Sequence, residues 1–247
     1  MTDPDRATLP VGAIGQEVLR LLTGLPAQPL PRHRHDLSRD DVRAAQTARI
    51  VAAAVELFAA QGYASTTVME IAKRAGVSRK TIYDFYDSKE DIFLDTYHAV
   101  EVLVAEAGLA EAARDSAADP QLDQLAGAVE RLLLFLQFVP AATQMFFFEA
   151  VGAGPRVRSR RNAAIAEFVE VIAPPLQAVR AKYEPGLSPL SIEICRALVA
   201  GAIELIIEYL ADHDIDDLHL LAPRLVELVG TIVAPNFVAQ AVRPADQ

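Results

Sequence analysis

Apolar residues recur along this chain with the period of a helix, and no stretch alternates as a strand would. Over residues 41–61, Ile50, Ala54, Leu57 and Phe58 fall on one face. Asp40 or Asp41 stands at the start as a cap, and Gly62 follows as a stop. A brief element comes next. Thr67 and Glu70 have capping-box spacing, Val68, Ile71 and Ala72 form an apolar face, and Gly76 ends it after about two turns. Ser78 caps a further helix running to about Tyr86. Ser88 and Asp91 repeat the capping spacing and open a helix over 88–115. Pro120 opens another to Val139, residues 140–151 make a short one, and Pro155 begins a long helix that Pro174 and Pro175 should kink or break. Residues 183–189 read as a loop, and 190–212 and 217–233 as two last amphipathic helices. The fold class expected is all-α.

Residues 1–40 read as an extension, largely flexible. Gly15 to Leu22 can form a short amphipathic helix with Ile14, Val18, Leu21 and Leu22 on one side, before Gly24, Pro26, Pro29 and Pro31 break regularity. The basic stretch Arg32-His33-Arg34-His35 is a solvated arm, or alternatively one that reaches phosphates.

Composition narrows the class. At 52% apolar over 247 residues the chain can bury a real core. Cys195 has no partner for a disulfide, which fits a reducing cytoplasm, and no secretory signal is visible at the N-terminus. Residues 132–148 lack charge but are short for a membrane span and are interrupted by Pro140, so two buried helices are expected there. The net charge is −10, yet residues 1–91 hold twelve Lys/Arg and twelve Asp/Glu, while 92–247 hold eleven and twenty-one. The acidic excess therefore lies wholly in the C-terminal part, which is unsuited to phosphates.

Residues 67–86 form two short helices joined by a tight Gly76 turn, a helix-turn-helix. Ala72 is small where the second helix crosses, and Val77, Ile82 and Phe85 can face the first helix. Arg79, Lys80 and Tyr83 are then left on the outer face, with Asp84 a further possibility. In this motif the second helix enters the major groove by its N-terminal residues. Arg79, Lys80 and Thr81 lead, and Lys89 would sit at the groove's edge. Ser78 and Tyr86, at the two ends of that helix, complete the candidate DNA-binding set. A plain helical hairpin with solvated charges is the alternative.

Residues 43–95 carry Phe58, Gly62-Tyr63, Thr66-Thr67, Ile71-Ala72, Ala75-Gly76-Val77-Ser78, Tyr83 and Ser88-Lys89-Glu90. This pattern resembles the TetR family of bacterial transcriptional regulators. The resemblance implies a three-helix DNA-binding head, residues 41–88, on a larger helical body, 89–247, that binds a small ligand and dimerises. It also implies that Thr67, Tyr83 and Lys89 touch the DNA backbone and that Arg79, Lys80 and Thr81 read bases or lie nearby. Asp84, where aromatics are frequent, and Phe85, where histidine is frequent, depart from the family's pattern.

In the body, Phe135, Phe138, Met145, Phe147 and Phe148 flank Pro140 and form either a pocket wall for an apolar or mixed ligand or ordinary core. The ligand candidates are His98, Phe135, Phe138, Gln144, Met145 and Phe148, with Gln137 and Glu149 as further polar contacts. Arg156, Arg158, Arg160 and Arg161 read as a solvated face or as partners of acids in the head, with contact to an anionic ligand as the alternative. His213 and His219 lie among acids but match no metal spacing. Ile192, Leu198, Ile203, Ile206 and Leu210 on one of the last helices, and Leu218, Leu221, Leu225, Leu228 and Ile232 on the other, suit a four-helix dimer bundle or the chain's own core.

The expected function is a homodimeric transcriptional regulator, a repressor released from a palindromic double-stranded operator by a small apolar or mixed effector. It needs no cofactor, metal or membrane. The alternatives are a DNA-binding activator or architectural factor without ligand sensing, and an all-helical enzyme, for which no catalytic motif speaks.

Overall fold

The computed structural model describes residues 11–24, 39–108 and 122–237, and all its regular elements among these are helical. In order they are α1 (Val11–Thr23), α2 (Arg39–Ser65), α3 (Val68–Ala75), α4 (Arg79–Tyr83), α5 (Lys89–Gly108), α6 (Leu122–Phe138) and α7 (Pro140–Gln144). A π turn (Met145–Glu149), α8 (Ala150–Gly152), α9 (Pro155–Tyr183), α10 (Ile192–Asp212), a 3₁₀ segment (Ile215–Leu221) and α11 (Ala222–Val233) complete the series. The chain divides into two compact units: residues 1–103 with 139–158, and residues 104–138 with 159–247.

In the first unit α2 is the axis. Ile50, Val51, Ala54, Val55 and Phe58 are buried along it, in the period the sequence shows. Gly62 has φ 82° and ψ 157°, so the helix proper stops there and a short turn follows, as the glycine predicts. Phe58 is fully buried between the rings of Tyr63 (5.7 Å) and Phe93 (5.0 Å). The aromatic line continues from Phe93 to Tyr97 and on to Phe146 of the π turn, stacked at 4.6 Å. Segment 140–149 packs along α2. Part of the expected flexible extension is ordered. Residues 11–23 form α1, which packs on α2 with Val18 fully buried, because its apolar face finds a partner. The Arg32–His35 stretch lies outside the described residues.

In the second unit Val169, Leu176 and Val179 of α9 pack with Leu190, Leu198 and Val233. This burial explains a departure from expectation: α9 runs through Pro174 and Pro175 without a break. Two missing N–H donors are outweighed by the apolar face the helix buries on either side. The last helical region also differs, starting with a 3₁₀ segment before α11. Leu198, Ile206, Leu218, Leu221 and Leu225 are buried within the single chain, so these five serve its own core. Arg180 donates to the carbonyls of Ile232 and Val233 at the end of α11. Glu184, one turn on, accepts from the backbone N–H groups of Asn236 and Phe237. Among the described residues no single helix is long and apolar enough to cross a membrane.

Replacing Phe58 by alanine removes the ring at the centre of the first unit's aromatic cluster and is expected to cost about 3–5 kcal/mol, read as a lower midpoint in urea unfolding.

Candidate nucleic-acid interface

The helix-turn-helix is assembled by local rules. Thr67 caps α3: its hydroxyl accepts from the Glu70 N–H (3.2 Å), and the Glu70 carboxylate accepts from the Thr67 N–H (2.8 Å) and hydroxyl (2.7 Å). Gly76 ends α3 in the left-handed region (φ 66°), and the Val77 N–H reaches back to the Ala72 carbonyl at 3.0 Å. Ser78 caps α4, its hydroxyl accepting from the Thr81 N–H at 2.9 Å and sharing a hydrogen with the Thr81 hydroxyl at 2.8 Å. Ile71, Ala72 and Ile82 are buried and fix the crossing of the two helices.

The opposite face is open. Arg79, Lys80 and Tyr83 are exposed, and Thr81 is half-buried. Arg79 lies over the Tyr83 ring, with its guanidinium carbon 5.4 Å from the centroid. Thr67 and Ser78 are exposed as well, though their hydroxyls already serve caps. Six of the eight expected DNA-binding residues thus sit on or beside one accessible surface.

The other two do not. Tyr86 is 6% exposed, and its hydroxyl donates to Asp95 at 2.5 Å. α4 ends at Tyr83, three residues short of the expectation, and Tyr86 lies in the interior. Lys89 points back into the chain. Its ammonium donates to the carbonyls of Tyr63 (2.7 Å), Thr66 (2.9 Å) and Ala64 (3.2 Å) and lies 4.4 Å from the centre of the Tyr63 ring. An ammonium has three donors, and all three are taken. Lys89 therefore ties the start of α5 to the turn that follows Gly62.

Glu149 and Arg156 complete this junction. Glu149, expected at a ligand, accepts from the Tyr63 N–H at 2.8 Å. Arg156 donates to Glu90 and Asp91, both at 2.9 Å, in the first turn of α5. Burial pushes the Asp91 carboxyl up, but hydrogen bonds from Ser88 and Arg156 outweigh it and hold the group below its ordinary range. Neither link has a local sequence signal, since the partners are 86 and 65 residues apart.

The ligand candidates divide between the units: His98, Gln144, Met145 and Phe148 in the first, Phe135 and Phe138 in the second. Met145 is fully buried, Gln144 is exposed, and Phe138 is 52% exposed. His98 faces Glu101 at 3.4 Å. Gln137 bonds the Asp216 carbonyl and His219, which accounts for one of the two histidines of the acidic loop. Among the described residues no cluster suits a metal ion.

Lys89→Met strips the ammonium from three carbonyls and is expected to cost about 1–2 kcal/mol in urea unfolding. The Glu70 carboxyl is held below its ordinary range by the Thr67 hydroxyl and then the Thr67 N–H. A lowered folded pKa means the cap contributes fully above the ordinary carboxylate value and is lost as pH falls through the folded one. The thermal midpoint of Glu70→Gln should accordingly lie below wild type near neutral pH and converge with it in acid.

Residues 50–96 match the family model of bacterial regulatory proteins of the tetR family. The chain is 43% identical over 56 residues to the HTH-type transcriptional regulator HbdR of Aromatoleum sp. (strain CIB), which covers 20% of this chain and 24% of that protein. It is 28% identical over 142 residues to the HTH-type transcriptional activator FasR of Mycolicibacterium smegmatis, 57% of this chain and 61% of that one. The chain thus spans about a quarter of the first relative and under two thirds of the second. Its fold matches the crystal structure of the transcriptional regulator FadR from Bacillus subtilis in complex with stearoyl-CoA. The TM-score is 0.60 at 21% identity, covering 73% of this chain and 96% of that one. These three are regulators by name, none an enzyme. The helix-turn-helix geometry and the family match agree over the same stretch: residues 50–96 carry a domain that matches the tetR family of bacterial regulatory proteins.

Proposed function

We propose that this protein is a sequence-specific, ligand-responsive transcriptional regulator that binds double-stranded DNA through α4. The observation that carries the reading is the open face of that helix. Arg79, Lys80 and Tyr83 are exposed on it, while Ile82 anchors the other side and Ser78 and Gly76 set its entry. Arg79 and Lys80 occupy the leading turn that enters a major groove in this motif, and Tyr83 and Thr67 stand where backbone contacts belong.

A homodimer is the working form. Two copies reading half-sites about 34–36 Å apart make a palindromic operator the natural target. The last two helical regions supply the dimer surface. Exposed Ile192 and Ile194 on α10 and Leu220 on the 3₁₀ segment are apolar positions that the single chain leaves uncovered.

The effector is apolar or mixed in character. Support comes from the apolar segment around Pro140 and from the stearoyl-CoA bound to the structurally similar FadR, which points to a long-chain acyl thioester. Release of DNA would run through the first unit. Glu149 on the Tyr63 N–H, Lys89 on the following carbonyls and Arg156 on the start of α5 tie segment 140–156 to the turn that carries the helix-turn-helix. A ligand that favours a different placement of this segment would move α4 out of register. It acts only by its differential affinity for the two states, on the usual scale of about 1–3 kcal/mol.

Repression is the sign of regulation proposed. Activation is the second reading, and it rests on the relation to FasR, an activator by name.

A mobility-shift titration of the purified protein with its own gene's upstream DNA tests this. Salt-sensitive binding to a palindrome, weakened by stearoyl-CoA, is expected. Absence of such binding to any palindrome in that region would overturn the DNA reading, and unchanged binding across acyl-CoA chain lengths would overturn the effector class.

A further inference from the structure

The helix-turn-helix has a second cation at its edge, on a different helix. Arg43, near the start of α2, holds its guanidinium carbon 4.5 Å from the centre of the Phe85 ring. Phe85 is two residues beyond Tyr83, and its N–H bonds the Ile82 carbonyl at 3.0 Å in the turn that ends α4. The ring is fixed from behind: it stacks on buried Tyr86 at 6.3 Å, and Tyr86 is itself tied to Asp95. Arg43 therefore rests on an aromatic ring just beyond the C-terminal end of the helix that bears Arg79, Lys80 and Tyr83.

Its hydrogen-bonding edge is open. Arg43 is exposed and makes no ion pair or hydrogen bond among the described residues, although acidic Asp84 and Asp87 flank Phe85. Arg74 and Arg156 of this unit are engaged, the first with Glu56 and the second with Glu90 and Asp91. A guanidinium stacked on an aromatic face keeps its planar N–H fork outward, the geometry that suits two phosphate oxygens, and it loses less side-chain freedom on binding than an unsupported arginine. Next to it, exposed Asp84 repels phosphate, and a cation here offsets that repulsion.

We propose that Arg43, held on Phe85, is a phosphate-backbone contact of the bound duplex, at the edge of the surface α4 presents. The proposal rests on α4 entering the groove. It assigns to α2 a direct part in DNA binding and to Phe85 a positioning role.

The test is affinity against salt concentration for the full chain and a 30-base-pair duplex that the wild-type protein selects from a random pool, with Arg43→Gln, Arg43→Lys and Phe85→Leu compared. Arg43→Gln should bind about tenfold more weakly near 0.1 M salt, and its slope of log affinity on log salt should be shallower by about 0.9, the share of one phosphate. Arg43→Lys should keep the slope. Phe85→Leu should keep the slope and lose part of the affinity, since the charge remains and the platform goes. Wild-type slope and affinity in Arg43→Gln, with salt-dependent binding intact in the wild type, would sink this proposal alone. If the wild type selects no duplex, the DNA reading fails and this inference with it.

Discussion

Three backbone carbonyls stand open where α2 breaks at Gly62, and the ammonium of Lys89 closes all three. That junction joins the end of α2 to the start of α5, on either side of the helix-turn-helix. A chain that leaves a helix through a left-handed glycine exposes polar groups, and unpaired groups of this kind are costly when water is excluded. Lys89 answers the carbonyl side, and Glu149 answers the N–H of Tyr63. One short turn is thus held by a cation on its acceptors and an anion on its donor. The Tyr63 ring lies beside the ammonium, and burial, then the charges of Glu90 and Asp91, push its phenol up, so the ring stays neutral there.

The second unit solves a similar problem the same way. Where α11 ends at Val233, Arg180 takes the last carbonyls and Glu184 takes the N–H groups of the residues that follow. Burial acts to raise the Glu184 carboxyl, but the bonds from Asn236 and Phe237 prevail and hold it low. In both places a helix break is closed by two charges of opposite sign. Such charges look like solvated surface in a sequence, which is why a count of cations overstates what is available to nucleic acid. Lys89, Arg74 and Arg156 are each engaged with groups of the first unit itself, whereas Arg79 and Lys80 form no ion pair among the described residues.

What the sequence made readable was the local grammar. Thr67 with Glu70, Ser88 with Asp91, Gly62 and Gly76 are rules that act within four residues, and each works as its spacing says. Tyr86 marks where the grammar stopped being sufficient: two tyrosines three apart look alike on a helix wheel, but the helix ends between them, and one goes inward to Asp95. Pro174 and Pro175 failed as breakers because burial of Val169, Leu176 and Val179 outweighs two lost bonds. The link from Glu149 was invisible because nothing in a neighbouring residue records a partner so far along the chain, and the pairing of Arg156 stood only as one reading among several. The stacking of Arg43 on Phe85 was hidden for the same reason.

The π turn at Met145–Glu149 has a consequence for how this segment tolerates change in length. A π turn accommodates one residue more per turn than the α helix on either side. Removing a residue from it therefore leaves a sound helix, with no frame of hydrogen bonds to repair. What changes is phase: every side chain downstream swings by about a third of a turn relative to those before it. Glu149 holds its place opposite Tyr63 only in the longer register, so a deletion that the helix itself would not notice would undo the junction some eighty residues away.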